Sequence, residues 1–528
     1  MYNQSPPLAT IRNWDVPLTA KERKYICTTL INTIKNYYVH LPIKEKGFAI
    51  DPVQELRLLE GASYDEDNNM SFLRKLQRIF LKLNDRHTTL VMPKPWSDLV
   101  AFIPVVIERY YENNMPVYIV TKKLFGYENK EMQYGLRITH WNGTEIDKYI
   151  EVLSETSQGA NRSAASKLTL SSLTIRSLAY SFPPEEDWVV LSCVNKAGEI
   201  QTFSFPWRVY YNAPKPVSAA NPTSGSVNSK IGDGVNNVSL DRKQLANMKF
   251  QKQFFGKQLL KKRIANKYAL QEYGTIMKYG IINTTSGDTG YLRIFSFEVG
   301  NVDTFITKMD QILQTLPQEK LIIDIRGNPG GIIPSGERLV QLLTKNQITP
   351  SPVAFRNTPS TKGFGGIQDF SRWKRSLDLM EETGAIFSQY YPLSTFDNLP
   401  VYRYPGKAAL IIDSLVYSTA DFVTADFKDN NIGPIIGVDP RTGAGGANVW
   451  PYETLVYYAQ KVGNMDVGLL PKGIGLNVAM RRSIRTGIDQ GLPVEDLGTK
   501  ADIVHAITAN DLLYDNVDLI NFTASKLV

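Results

Sequence analysis

The chain has 528 residues, which at roughly 100 to 200 residues per domain predicts about three domains. With 43% hydrophobic and 21% charged residues it can bury a large core. Two cysteines, Cys27 and Cys193, exclude a disulfide framework and a CxxC metal pair, and a net charge of +7 over this length does not by itself imply nucleic acid.

From about Leu18 to Leu83 the apolar spacing predicts helices: Tyr25, Leu30 and Ile34 recur near helical spacing, as do Phe72, Leu76, Ile79, Phe80 and Leu83. This N-terminal helical module (1–100) ends at the polar break Asp85-Arg86-His87-Thr88. A β-rich domain (101–207) follows, with strands expected at Phe102 to Ile107, Val117 to Val120, Leu136 to Trp141 and Trp188 to Cys193, and a tight turn at Asn142-Gly143. Residues 208–273 read as a linker and a basic segment. Ala213 to Leu240 is rich in Pro, Ser, Asn and Gly and predicts a disordered stretch. Arg242 to Lys267 carries Lys249, Lys252, Lys257, Lys261, Lys262 and Arg263 among Leu, Phe and Met, and reads as a solvated helix face or as a stripe for a membrane surface or nucleic acid. From 274 to 528 strands alternate with helices: Gly290 to Ile294, helix Val302 to Leu316, Leu321 to Ile325, helix Gly336 to Leu343, Ala408 to Ile412, helix Thr419 to Asp429, Ile435 to Gly437 and a helix over Ile503 to Ile507. That alternation predicts a mixed α/β core.

No apolar run reaches the ~18 residues of a membrane span. Met1 to Pro7 lacks the basic and then apolar pattern of a signal peptide, so the expectation is a protein that stays inside the cell or has lost an export signal.

Chemistry concentrates where two apolar strands end. Ser418 stands before a helix whose N-terminal N–H groups favour negative charge, as an attacking hydroxyl requires; a serine there is also an ordinary N-cap. The turn Asn328-Pro329-Gly330-Gly331 can aim backbone donors at a ligand, or serve only as a strand exit. A serine nucleophile needs a base, and the histidines are His40, His87, His140 and His505. Packing accounts for His40 and His140, and His505 can face either way on its helix. His87, in a polar loop after an apolar helix, is the candidate base. Val494-Glu495-Asp496 offers carboxylates to orient it. The histidines show no HExxH spacing, so neither metal nor cofactor is expected.

These segments together resemble the C-terminal processing or tail-specific proteases, the S41-type serine peptidases. The resemblance rests on Asp324 to Gly331, Tyr417-Ser418-Thr419-Ala420-Asp421, the loop Gly437 to Gly446, Asp85 to Thr88, and Tyr134 to Thr144, which is similar to a divergent PDZ domain. It implies a multidomain α/β protein: a ClpP/crotonase-like mixed α/β core with a PDZ-like β-rich insert and an N-terminal helical module. Members with a Ser/Lys dyad carry a lysine in a Gly-Lys-Gly setting; here that loop reads Thr442-Gly443-Ala444-Gly445-Gly446. Lys428, the nearest substitute, lies about 15 Å along its helix from Ser418. The resemblance is therefore to the Ser-His-Glu branch, with tricorn-like peptidases and a chlamydial secreted protease. It implies Ser418 as nucleophile, His87 as general base and then acid, Glu495 as the group that orients and stabilises the imidazolium, and an oxyanion hole from the Thr419 N–H with that of Gly330 or Gly331.

The expected activity is a serine endopeptidase acting through an acyl-enzyme on unfolded or extended polypeptide, with no nucleic-acid partner, no membrane span, and homo-oligomerisation left open. The rival is a non-catalytic ligand- or peptide-binding protein on the same scaffold, as retinoid-binding relatives imply. The linker at 213–240 is a further expectation, as a self-cleavage or activation site.

Overall fold

The computed structural model describes residues 1–64, 68–195, 197–211, 238–256, 270–394 and 399–528. Four helices open the chain: α1 (Ala20–Asn36), α2 (Leu41–Phe48), α3 (Pro52–Gly61) and α4 (Asn69–Leu81). Thr19 and Glu22 close a capping box on α1, satisfying N–H groups that the first turn leaves unpaired. In α4 the predicted stripe is buried, Phe72, Leu76, Ile79 and Phe80 included. In α1, Leu30 and Ile34 point inward while Tyr25 is exposed. Three residues after α4 the chain reaches Asp85 and then β1 (Thr89–Val91).

The β-rich region is an antiparallel series of β2 (Val105–Glu112), β3 (Met115–Leu124), β4 (Arg137–Trp141), β5 (Trp188–Val194) and β6 (Ile200–Pro206), each paired with the next. Helices α5 (Ile146–Ser154) and α6 (Arg162–Ser172) accompany it, an arrangement compatible with the PDZ-like expectation. Asn142 and Gly143 both have positive φ, and Trp141 pairs with Thr144 across them, as the Asn-Gly step predicts. The strand expected over Phe102 to Ile107 is two strands: Leu99–Phe102 and β2 are parted at Ile103-Pro104, where proline has no N–H to continue a ladder.

Of the expected linker, residues 213–237 lie outside the described residues, and its end forms β7 (Val238–Leu240). The basic segment forms α7 (Arg242–Phe254), capped by the Asp241 side chain on the Gln244 N–H, and residues 257–267 lie outside the described residues.

The core sheet runs in the order β8 (Gln271–Tyr273), β9 (Met277–Thr284), β10 (Gly287–Ile294), β11 (Lys320–Asp324), β14 (Lys407–Ile412), β15 (Ile435–Gly437) and β18 (Ile503–Val504). Its first three strands are antiparallel, and from β10 onward it is parallel. Parallel strands need crossovers, and α8 (Val302–Thr315) and α10 (Thr419–Asp429) serve β10–β11 and β14–β15. Because β11 and β14 are neighbours, the loops at their carboxyl ends meet, which is where open α/β sheets place their sites. The first of these loops passes through β12 (Gly330–Ile332) into α9 (Ile333–Gln341). A second sheet contains β13 (Pro352–Phe355), β16 (Ala447–Pro451) and β17 (Gly475–Ser483), and β17 pairs with β1. That pairing ties the His87 loop to the C-terminal part of the chain.

The helix expected over Ile503 to Ile507 is instead β18 at the sheet edge. The helical turn begins only after Thr508, whose side chain caps it, and His505 Nε2 lies 2.9 Å from Asp511.

Candidate active site

Ser418 sits between β14 and α10 with φ 69° and ψ −128°. A non-glycine residue in that region costs on the order of 1–3 kcal/mol and persists only where its surroundings hold it. Here the hold is tight. Thr419 to Phe427 are all buried, and the Tyr417 N–H donates to the Asn328 carbonyl at 3.0 Å. Asp413 accepts from the N–H groups of Gly327, Leu415 and Val416 at 2.8–3.1 Å, fastening the two loops together.

His87 reaches this turn from the other side. Its Nε2 lies 2.7 Å from Ser418 Oγ, both side chains are fully buried, and its ring lies 4.5 Å from that of Tyr417. Asp85 Oδ1 accepts from the His87 backbone N–H at 2.7 Å, and the Tyr417 hydroxyl accepts from that of Arg86 at 3.2 Å. Burial lowers the imidazole to about 3; Arg86 and Lys44 act in the same direction and Asp241 opposes them. At neutral pH the ring is therefore uncharged and able to accept a proton from the serine.

Glu495 is completely buried beside this pair. Its carboxylate lies 2.9 Å from Lys44 Nζ and 3.6 Å from His40 Nε2, and accepts from the Gly446 N–H at 3.1 Å. Lys44 also pairs with Asp496 and donates to the Asn84 carbonyl. Burial raises the Glu495 carboxyl well above its ordinary range; Lys44 pulls it down, while Asp85 and Asp496 push it up. Burial also keeps His40 neutral, with Lys44 next in effect. His40, Asp85 and Glu495 each bring one ligand atom within 4.8 Å of the others, a spacing a metal ion could use. The Lys44 ammonium already supplies the cation there.

Gly443 to Gly446 thread between nucleophile and carboxylate. A Cβ on Gly445 would press on the Ser418 nitrogen and one on Gly446 would overlap the Glu495 nitrogen, so side chains cannot stand there. Asp421, on the first turn of α10, accepts from the Gly445 N–H at 2.7 Å and holds the loop.

The Gly330 N–H donates to Asn328 Oδ1 at 2.9 Å. Gly331 has no room for a Cβ against the Phe297 carbonyl, and Thr419 Oγ1 donates to the Gly331 carbonyl at 2.9 Å. Along this strand lies β7, antiparallel, with Leu240 opposite Gly330 and Ser239 opposite Gly331.

The family model of Peptidase family S41 matches residues 288–460, the stretch that carries both loops of this site. Over those residues the α/β core resembles peptidase family S41. The match includes Gly330, Gly331, Ser418 and Thr419 and stops short of His87 and Glu495. The structure of mature CPAF complexed with lactacystin is similar over 96% of this chain and 98% of that one, with TM-score 0.67 and 17% identity. A CPAF mutant is similar over the same shares, with TM-score 0.69 and 16% identity. Those likenesses establish a shared fold. No curated protein sequence matches the chain.

Of the residues singled out in the sequence for this site, Ser418 and His87 are in hydrogen-bond contact, Thr419 donates to the Gly331 carbonyl, the Gly330 N–H donates to Asn328, and Glu495 contacts Lys44 and His40 rather than His87. Lys428 is elsewhere, paired with Asp502 at 2.8 Å. Sequence reasoning missed Lys44, His40 as a neighbour of Glu495, and Asp241, which pairs with Arg86 and begins α7. Only Asp241 carried a local signal, as an acidic N-cap with Gln244 three residues on.

Proposed function

We propose that the chain is a serine endopeptidase with a Ser-His-Glu triad, present in this structure in a closed form. The observation that carries the reading is the 2.7 Å contact of neutral His87 with Ser418 on a strained strand-to-helix turn. His87 Nε2 takes the hydroxyl proton as Oγ attacks the scissile carbonyl. The N–H groups of Thr419 and Gly331 receive the developing oxyanion, and the imidazolium then protonates the leaving amine. Water reverses the sequence on the acyl-enzyme. Glu495, with Lys44 to hold it, favours the positive charge that His87 carries in between.

Substrate class follows from β12, which accepts an antiparallel partner along Gly330 to Ile332. An extended polypeptide adding as a strand there brings a backbone carbonyl to Ser418, and the pairing of β7, an internal segment, supports a site that needs no free terminus. In this structure β7 takes that place itself, backed by the ion pair of Asp241 with Arg86, and both Ser418 and His87 have no exposure. Moving β7 and α7 aside is then the activating step, and cleavage of the chain on either side of them is the direct route.

The complete burial of the pair also favours a rival, a binding protein that has kept the triad as packing. A serine-directed fluorophosphonate separates the two. Specific protease sites placed within 212–237 and 257–269 allow β7 and α7 to be released. The opened protein should then be labelled at Ser418, and His87→Ala should lose the labelling. An opened, folded protein that resists the probe contradicts the peptidase reading.

A further inference from the structure

The strand that covers β12 ends in a charge. Past Leu240, which stands opposite Gly330, the pairing continues for one more residue, and the Asp241 N–H donates to the Pro329 carbonyl at 2.8 Å. The Asp241 carboxylate turns to Arg86, the residue before His87. Its Oδ2 accepts from Arg86 Nε at 2.6 Å and also pairs with Nη2, and both side chains are buried. Its Oδ1 accepts from the Gln244 N–H at 2.9 Å, which caps α7. A cap needs only an acceptor, and serine or asparagine supplies one as well. A buried guanidinium needs a full negative charge beside it.

Moving β7 and α7 aside therefore uncovers a prepared cation. Among the described residues the Arg86 guanidinium hydrogen-bonds to Asp241 and Gln244, both on the moving segment, and Asp241 is its one ion-pair partner; Nη1 has no hydrogen bond. The groups that place it stay behind. The Arg86 backbone N–H donates to the Tyr417 hydroxyl at 3.2 Å, the guanidinium lies 4.0 Å over the Tyr417 ring, and the Tyr417 N–H is held by the Asn328 carbonyl. Asp421, on the first turn of α10, is committed to the Gly445 N–H. A planar guanidinium fixed on an aromatic face is pre-organised to take a carboxylate through two N–H groups.

We propose that Arg86 sets specificity in the substrate groove: it binds an acidic side chain, aspartate above all, at the position that follows the residue facing Gly330. In this structure β7 with Asp241 fills that place as the chain's own stand-in for substrate. The proposal rests on the reading of β12 as the edge that takes substrate, and it narrows the substrate class from any extended polypeptide to one with an acid in that register. A peptide lacking the acid leaves the guanidinium buried and unpaired, which is the main cost of truncating one partner of such a pair. A free chain end offers the same carboxylate; β7 runs on into α7, so an internal side chain is the source assigned.

The test is binding of labelled peptides, by fluorescence anisotropy, to the whole Ser418→Ala chain cut only at protease sites within 212–237 and 257–269 and verified as folded by circular dichroism. A peptide copy of Val238 to Gln244 is set beside the same peptide with Asp241→Asn, which keeps the shape of the side chain and its capping oxygen. The aspartate peptide should bind at least about tenfold tighter. That ratio should vanish in Arg86→Gln and lie between the two in Arg86→Lys, which keeps the charge without the fork. Equal affinity of the two peptides, or no binding of either, overturns the proposal before any Arg86 variant is made, and so does an undiminished ratio in folded Arg86→Gln. A third peptide, ending at Leu240 with a free carboxylate, reads the chain end; tighter binding than the internal aspartate peptide would make the terminus the ligand and refute the assignment. No hydrolysis enters the measurement, so an opened wild type that is inert defeats the peptidase reading and leaves this ratio to be judged by itself.

Discussion

Asp324 and Glu495 are both completely buried carboxyl groups near the same loops, and their surroundings treat them in opposite ways. Asp324, at the end of β11, receives two N–H groups of Arg326, the Tyr291 hydroxyl at 2.9 Å and the charge of Arg293 at 3.7 Å. Burial raises its carboxyl, but the two arginines and their hydrogen bonds outweigh this and hold it well below the usual range. Glu495 has one lysine and two neighbouring carboxyl groups, and there burial wins. The first is a fixed charge that fastens the turn leading to Gly330. The second shares one ammonium with two other carboxyl groups, and the proposed triad assigns it the imidazolium of His87 as a further counterpart. A buried ion pair can thus be structural or working, and the balance of partners tells which.

The largest test of this contrast is Glu495→Gln. Peptidase activity of the opened form should fall by roughly 10²- to 10⁴-fold, while the thermal midpoint holds or rises, since a carboxyl that burial disfavours has been replaced by a neutral isostere. Asp324→Asn should do the reverse. It leaves two guanidinium groups with a neutral partner and costs about 3–5 kcal/mol of stability by chemical denaturation, with activity per folded molecule largely kept.

Lys44→Met sharpens the working half. Without the ammonium the Glu495 carboxyl rises further, so the acid limb of the kcat/KM profile moves to higher pH and activity recovers as pH increases. The same substitution in a Glu495→Gln background should leave the profile unmoved; a shift there would mean that Lys44 acts only through the fold.

The smallest effect concerns Glu337 on α9, which burial raises to about 7 despite the Ser394 hydroxyl that donates to it. Its folded value exceeds its unfolded one, so its stability contribution is fully present below pH 4.5 and is lost as pH rises through 7. Glu337→Gln should add about 1 kcal/mol at pH 8 and little at pH 4, read by urea denaturation at both.

Much of this arrangement was legible in the chain because local rules carried it. The alternation after residue 274 gave the α/β core, Asn142-Gly143 gave its turn, and two apolar strands ending in small residues marked Gly330, Gly331 and Ser418. What stayed hidden depends on partners far along the chain. Lys44 reads as a surface lysine on a short helix until Glu495, from the far end, lies 2.9 Å away. The three residues of β7 carry no periodicity, and their strand exists because Gly330 to Ile332 offer an unpaired edge. The positive φ of Ser418 follows from how Tyr417 and Asp413 are held, and no sequence pattern announces it. His505 misled for the same reason, since a two-residue edge strand is set by its neighbour β15 and not by propensity.

The central claim is that Ser418 and His87 form a working pair once β7 and α7 are moved. Hydrolysis of casein by the opened wild-type chain, set beside opened Ser418→Ala, His87→Ala and Glu495→Ala proteins of verified fold, tests it directly. The account predicts hydrolysis by the wild type, none by the first two variants and a reduced rate in the third. An opened wild type that leaves casein intact, or an equally active Ser418→Ala, would contradict it.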